Sequence, residues 1–202
     1  MATGDGIPAA LLLTGGASQR LGRDKATLLI RGVSLADRAA RLLAQVADPV
    51  IEVGPGCTGL PRAREDPPGA GPLAAVAAGA EALASQGHRG PALVLAVDMP
   101  LVGLGLLQLV ASHPSPGCVV PIDQGGYPQP LCARYSRAAL DLAASIAGQG
   151  SSSLRALLPA VAVTWLSPSE WVVAGGSLDA FADIDTAADL ARLEPLTGGA
   201  AP

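Results

Sequence analysis

Apolar residues along this chain fall into two rhythms, short unbroken runs and longer stretches in which they recur every three or four positions. Unbroken runs of Val, Leu, Ile and Ala fit strands covered on both faces, and the three-to-four rhythm fits helices that bury one stripe. The runs predict strands over 9–14, 50–53, 92–97, 118–122, 131–135 and 161–166. The periodic stretches predict helices over 34–46, 72–84, 104–112, 137–147, 152–158 and 186–193, with Ser34 and Thr186 as N-caps. Strand and helix alternate, which predicts an α/β, Rossmann-like single domain: a mostly parallel sheet with helices on both faces. Its boundaries are expected near 9 and 194, with residues 1–8 and 195–202 as flexible tails. In such sheets ligands bind beyond the carboxyl ends of the strands, so residues just after a strand are the first candidates for chemistry.

Composition narrows this picture. A length of 202 residues suits one core, and half the residues are hydrophobic but only 2% are aromatic. Small aliphatic side chains allow helices to pack closely on a sheet. The longest weakly polar stretch, 69–84, is interrupted by Pro72 and Glu81 and falls short of the roughly 20 apolar residues of a membrane span. The first residues lack a basic segment ahead of an apolar one, so a cytoplasmic location without membrane contact is expected. A net charge of −4 argues against a nucleic acid partner. Cys57, Cys118 and Cys132 show no C-x-x-C spacing, and reduced thiols are expected.

The chemistry gathers after the first strand, at Gly15-Gly16-Ala17-Ser18-Gln19-Arg20-Leu21-Gly22-Arg23-Asp24-Lys25. Paired glycines let backbone amides approach an anion, and Arg20 and Lys25 add positive charge. G-x-G-x-x-G is absent, and Lys25 does not directly follow Gly22, so neither a dinucleotide fingerprint nor a Walker A loop is present. A different triphosphate site is implied. Asp98 follows the strand at 92–97 and precedes Met99-Pro100. A carboxylate at a strand mouth can hold Mg²⁺ or cap the next helix. Gly71-Pro72 reads as a helix start, whatever else it does.

Residues 15–26 are similar, position by position, to G-G-x-S-x-R-M/L-G-x-D-K-A, the signature of the molybdenum cofactor guanylyltransferases, a family of molybdopterin-type nucleotidyltransferases. The resemblance implies a fold like that of the nucleotide-diphospho-sugar transferases. It assigns Leu13, Thr14, Gly15, Gly16 and Lys25 to the nucleotide, with Lys25, Arg20 and Asp98 as the catalytic groups and Asp98 also binding Mg²⁺. Asp66 to Ala75 resembles the segment that contacts base and ribose, so Asp66 and Gly71 join the nucleotide-binding set. Gln129-Pro130-Leu131-Cys132-Ala133 resembles Q-P-L-x-A, which places Gln129 and Pro130 near the acceptor. The closing motif N-x-N-T-P-E-D-L is altered: Asp183 and Asp185 stand for the asparagines and Ala187 for the proline. Asp185 is expected as a second Mg²⁺ ligand and Asp183 near the acceptor, against the alternative that both merely lead into the last helix.

The resemblance implies transfer of GMP from GTP to molybdopterin with release of pyrophosphate, and it leaves a molybdenum-insertion protein or recipient apoenzymes open as partners. GTP is favoured over CTP because Leu13-Thr14-Gly15-Gly16 resembles the L-x-G-G of guanylyl members. The alternatives are a cytidylyltransferase, a relative acting on another phosphorylated acceptor such as phospholactate, and a carrier that binds the cofactor without turnover. A nicotinamide oxidoreductase is excluded by the missing glycine fingerprint.

Overall fold

The computed structural model describes residues 7–15, 24–193 and 195–196. Its main sheet has seven strands. In chain order they are β1 (Ala9–Leu13), β4 (Val50–Val53), β5 (Arg62–Ala63), β6 (Ala92–Ala96), β7 (Cys118–Pro121), β8 (Cys132–Tyr135) and β9 (Val163–Leu166). The spatial order is β5-β4-β1-β6-β8-β7-β9, and β8 alone runs antiparallel to its neighbours. A small antiparallel hairpin, β2 (Leu29–Ile30) with β3 (Val33–Ser34), stands apart. Its turn residues Arg31 and Gly32 both have positive φ, 51° and 80°, as a tight two-residue hairpin loop requires.

The period-two geometry of strands splits the core into two layers. Ala10 and Leu12 of β1 join Leu93 and Leu95 of β6 on one face, while Ala9, Leu11 and Leu13 join Ala92 and Val94 on the other. The first layer is closed by α1 (Leu35–Leu43), α3 (Leu104–Ser112), α5 (Pro168–Val173) and α6 (Ala187–Leu193), the second by α2 (Pro72–Ser85) and α4 (Arg137–Gly148). Helix α2 lies so close to the sheet that a Cβ at Gly79 would stand 2.7 Å from Leu11 Cδ2 and 2.9 Å from Val53 Cγ2.

Each strand predicted from an apolar run is present, within two residues at either end. Ser34 caps α1 by accepting from the Asp37 N–H. Thr186 accepts at 3.2 Å from the Asp189 N–H, while Asp189 Oδ2 accepts in return from the Thr186 N–H at 2.9 Å, a reciprocal cap for α6. The helix expected over 152–158 is instead two 3-10 turns, Leu154–Ala156 and Leu158–Ala160. Pro159 has no N–H to continue an α-helical ladder, which accounts for the break. Asp98 does not cap α3, because that helix begins at Leu104 with Gly103 as its N-cap.

Candidate active site

The parallel strands β1 and β6 end side by side, so Thr14 and Gly15 emerge next to Val97 and Asp98. Because β8 runs the other way, the residues before it, Gln129 to Leu131, arrive at this same edge. Two adjoining pockets result. The first, about 340 Å³, is lined by Leu13, Thr14, Gly15, Lys25, Glu65 and Gly71, among others. The second, about 210 Å³, is lined by Gln129, Pro130, Arg155, Phe181 and Asp183. Asp98, Pro72 and Leu131 line both, so Asp98 stands at the junction.

Lys25 and Asp98 meet with Asp185 at this point. Lys25 Nζ donates to Asp185 Oδ1 at 2.5 Å and to Asp98 Oδ2 at 3.3 Å. Burial pulls the lysine pKa down, but the Asp185 hydrogen bond and the Asp98 charge outweigh it and hold the pKa above its ordinary value. The segment bearing Asp185 is fixed from several sides. Ile184 is fully buried and its N–H donates to the Asp98 carbonyl at 3.1 Å. Phe181 meets buried Trp171 edge to face with centroids 5.3 Å apart. The backbone N–H of Asp185 donates to Asp189 Oδ2. Asp183 faces the second pocket, and its pKa is raised by burial and by the neighbouring Asp185 and Asp98 charges.

Asp98 Oδ1 is buried and has no hydrogen-bond partner among the described residues. An orphaned carboxylate oxygen beside a second carboxylate fits a hard divalent cation. Among the described residues no group of three or more His, Cys, Asp or Glu side chains is arranged as a metal cage. Mg²⁺ does not need one, since it binds through one or two carboxylates plus phosphate oxygens and water.

Other expected residues fall into place unevenly. Leu13, Thr14, Gly15 and Gly71 line the first pocket; Gln129, Pro130 and Asp183 line the second. Gly16 and Arg20 lie outside the described residues. Gly71, at φ 100°, starts α2 as expected and also permits a close approach, since a Cβ there would lie 2.7 Å from Ser152 Cβ. Asp66 is not brought to the first pocket: its side chain is exposed, and the preceding Glu65 points inward instead. Gln129 already gives its amide hydrogens to Asp123 Oδ2 and the Tyr127 carbonyl, and among the described residues Arg155 brings a positive charge to the lining of the second pocket.

Arg155, Glu65 and Glu52 also belong to the site, and no motif in the sequence marks them. Glu52, fully buried in β4, accepts at Oε1 from Thr14 Oγ1 and from the N–H groups of Gly56 and Cys57, and at Oε2 from the N–H and hydroxyl of Thr58. Burial alone would raise its pKa, but these bonds reverse the shift and hold it below the ordinary glutamate value. A charged residue inside a four-residue apolar strand is a signal in itself, because such a charge must be answered by donors. All three cysteines are free thiols.

The chain is similar to known proteins over most of its length. The family model described as MobA-like NTP transferase domain matches residues 10–164. A Mycobacterium tuberculosis protein named "probable molybdenum cofactor guanylyltransferase" is 35% identical over 167 residues, covering 77% of this chain and 82% of that protein. An Opitutus terrae protein of the same name is 43% identical over 100 residues, which is 46% of this chain and about half, 49%, of that one. The crystal structure of molybdopterin-guanine dinucleotide biosynthesis protein A from Archaeoglobus fulgidus superposes with a TM-score of 0.77 at 22% identity, covering 93% of this chain and 97% of that one. The chain thus belongs to the MobA-like NTP transferase domain family and is a nucleotidyltransferase.

Proposed function

We propose that the protein transfers GMP from GTP to the terminal phosphate of molybdopterin, forming the guanine dinucleotide form of the cofactor and releasing pyrophosphate. The observation that carries this reading is the pair of pockets joined at Asp98, one for a donor and one for an acceptor. The names of the guanylyltransferase relatives support the choice of base and acceptor.

An oxygen of the acceptor phosphate attacks the α-phosphorus of GTP, and the bond from that phosphorus to the β-phosphate bridging oxygen breaks. The electron pair leaves with pyrophosphate. A phosphate monoester is already largely ionised near neutral pH, so no side chain has to remove a proton. Positioning and charge neutralisation supply the acceleration. Lys25, in the lining of the first pocket, neutralises phosphate oxygens, and Arg155 offers a cation to the acceptor phosphate in the second. Asp98 and Asp185 are the residues that would hold Mg²⁺, which when bound offsets negative charge on the phosphates.

The test is pyrophosphate release from each of the four nucleoside triphosphates in the presence of Mg²⁺ and molybdopterin. GTP should support release and the others should not. Preferential use of CTP would replace the guanylyl reading with a cytidylyl one, and tight nucleotide binding without turnover would leave a carrier.

A further inference from the structure

The two edges of the main sheet are built differently. At one, β5 is only two residues long, and Arg62 and Arg64 stand exposed along it, which is how natural sheets keep an edge from pairing with another chain. At the other, β9 runs for four residues without such a guard: no charged residue occurs from Val161 to Ser169, and no proline interrupts 160–167. The ladder to β7 shows which backbone groups remain open. The Cys118 N–H donates to the Ala162 carbonyl and the Ile122 N–H to the Leu166 carbonyl, both at 2.8 Å, so residues 162, 164 and 166 turn toward β7. Val163 and Trp165 therefore turn both N–H and C=O away from the sheet, where no further strand follows among the described residues. Val163 packs on the core layer closed by α2 and α4, and the two-residue period puts Trp165, 44% exposed, on that same face.

We propose that β9 is the interface of a symmetric dimer, in which the β9 strands of two copies of this chain pair antiparallel about a two-fold axis at Thr164. The strand is complementary to itself. In this register Val163 of each copy stands opposite Trp165 of the other, so every outward donor of the two residues meets an outward acceptor. Each indole then lies beside a β-branched side chain across the strands, a pairing that stabilises sheets, and the two Thr164 side chains meet on the opposite face. The lack of charge also favours a second copy over an unrelated strand. Two identical strands brought together antiparallel would set any charge near its own like, whereas a charge-free edge has no such cost. A two-fold contact of this kind closes at two copies and consumes the open edge. No described residue of β9 lines either pocket, so both stay accessible in the pair.

Sedimentation of the full chain across the micromolar range reads the association, and amide hydrogen exchange followed by NMR locates it. The parent should pass from one to two chain masses as concentration rises. The Val163 and Trp165 amides should exchange about tenfold or more slowly in the associated state than after dilution, while the Thr164 amide, already bonded within the sheet, changes little. Val163→Pro removes an outward donor without touching the ladder to β7, a place where an edge strand accepts proline, and Trp165→Lys supplies the missing guard charge. Both variants should stay at one chain mass where the parent is paired, with melting curves like those of the dilute parent. A parent that remains at one chain mass throughout would overturn the proposal and leave this edge to a different partner. Association that persists in the folded variants would place the interface elsewhere and overturn it too. So would Val163 and Trp165 amides that exchange equally fast at every concentration, a measurement that needs no variant and stands even where a substitution disturbs folding.

Discussion

Replacing Glu52 by Gln keeps the shape of the side chain and changes one acceptor into a donor. In the native protein both carboxylate oxygens only accept: three bonds at Oε1, from Thr14 Oγ1 at 2.6 Å and the N–H groups of Gly56 and Cys57 at 3.0 and 2.7 Å, and two at Oε2, from Thr58. The least costly orientation puts the new NH₂ toward Thr58, whose hydroxyl can turn to accept. The Thr58 N–H then has no partner. An unanswered buried donor costs about 1–3 kcal/mol, and the remaining bonds lose the extra strength of a charged acceptor, so about 2–4 kcal/mol of stability should be lost. For a chain of this length that corresponds to a fall in Tm of roughly 4–16 °C.

Urea or thermal denaturation of parent and Glu52→Gln reads this directly, and pH supplies an independent check. The folded pKa of Glu52 is depressed, so its contribution is full above the unfolded value of about 4.3 and fades as pH falls through the lower folded value. The gap between parent and variant should therefore close in acid and stay constant from pH 6 to 8. Because Thr14 is held at the pocket wall by Glu52, the variant should also bind GTP more weakly. A variant within 0.5 kcal/mol of the parent at pH 7 would refute the reasoning.

Asp185→Ala should raise the Mg²⁺ concentration needed for half-maximal turnover; an unchanged metal curve would return Asp185 to a purely structural place before α6. Arg155→Ala should raise KM for the phosphorylated acceptor about tenfold or more while leaving KM for GTP unchanged, as expected of a charged contact worth about 1.5–3 kcal/mol; equal effects on both substrates would argue against a separate acceptor pocket. Gly79→Ala, which forces a methyl against Leu11 and Val53, should destabilise the fold by about 1–3 kcal/mol in denaturant titration, and a neutral result would mean that α2 shifts freely.

What the sequence made legible follows from how many residues carry each signal. Runs such as Ala9–Leu13 and Ala92–Ala96 are long enough to show burial on both faces, and they located β1 and β6 together with the residues just beyond them. Two-residue strands such as Arg62–Ala63 have no periodicity to read, and they exist only because a neighbour pairs with them. Helix α5 was readable in principle, since Ser167-Pro168-Ser169-Glu170 forms a capping box that goes with a helix start. Lys25, Asp98 and Asp185 were each marked by motif, but their meeting depends on strand order, which one sequence does not specify. The motif match points to Asp66 and not to Glu65, but which of two adjacent carboxylates turns inward is decided by the path of the loop after β5. Arg155 was hidden for a similar reason: it reaches the second pocket only because Gly71 lets the turn at Ser152 lie against the start of α2.

The altered closing motif acquires a physical sense from the charges around it. Asp98, Asp183 and Asp185 crowd one end of the pockets, and Lys25 is the cation that binds two of them. Among the described residues, Asp98, Asp183 and Asp185 outnumber the cations Lys25 and Arg155, which leaves negative charge where, under the proposed chemistry, a triphosphate and a phosphorylated acceptor must both come. Asparagines at positions 183 and 185 would lessen that excess. Lys25 is held protonated by its partners, and phosphate oxygens arriving in the first pocket compete with Asp98 and Asp185 for the same ammonium. When they win, the two carboxylates lose their counter-charge together, at the position where Asp98 Oδ1 is already without a partner. A divalent cation arriving with the nucleotide meets two hard oxygen donors at the moment they are released, so metal and nucleotide should bind with positive cooperativity at this site.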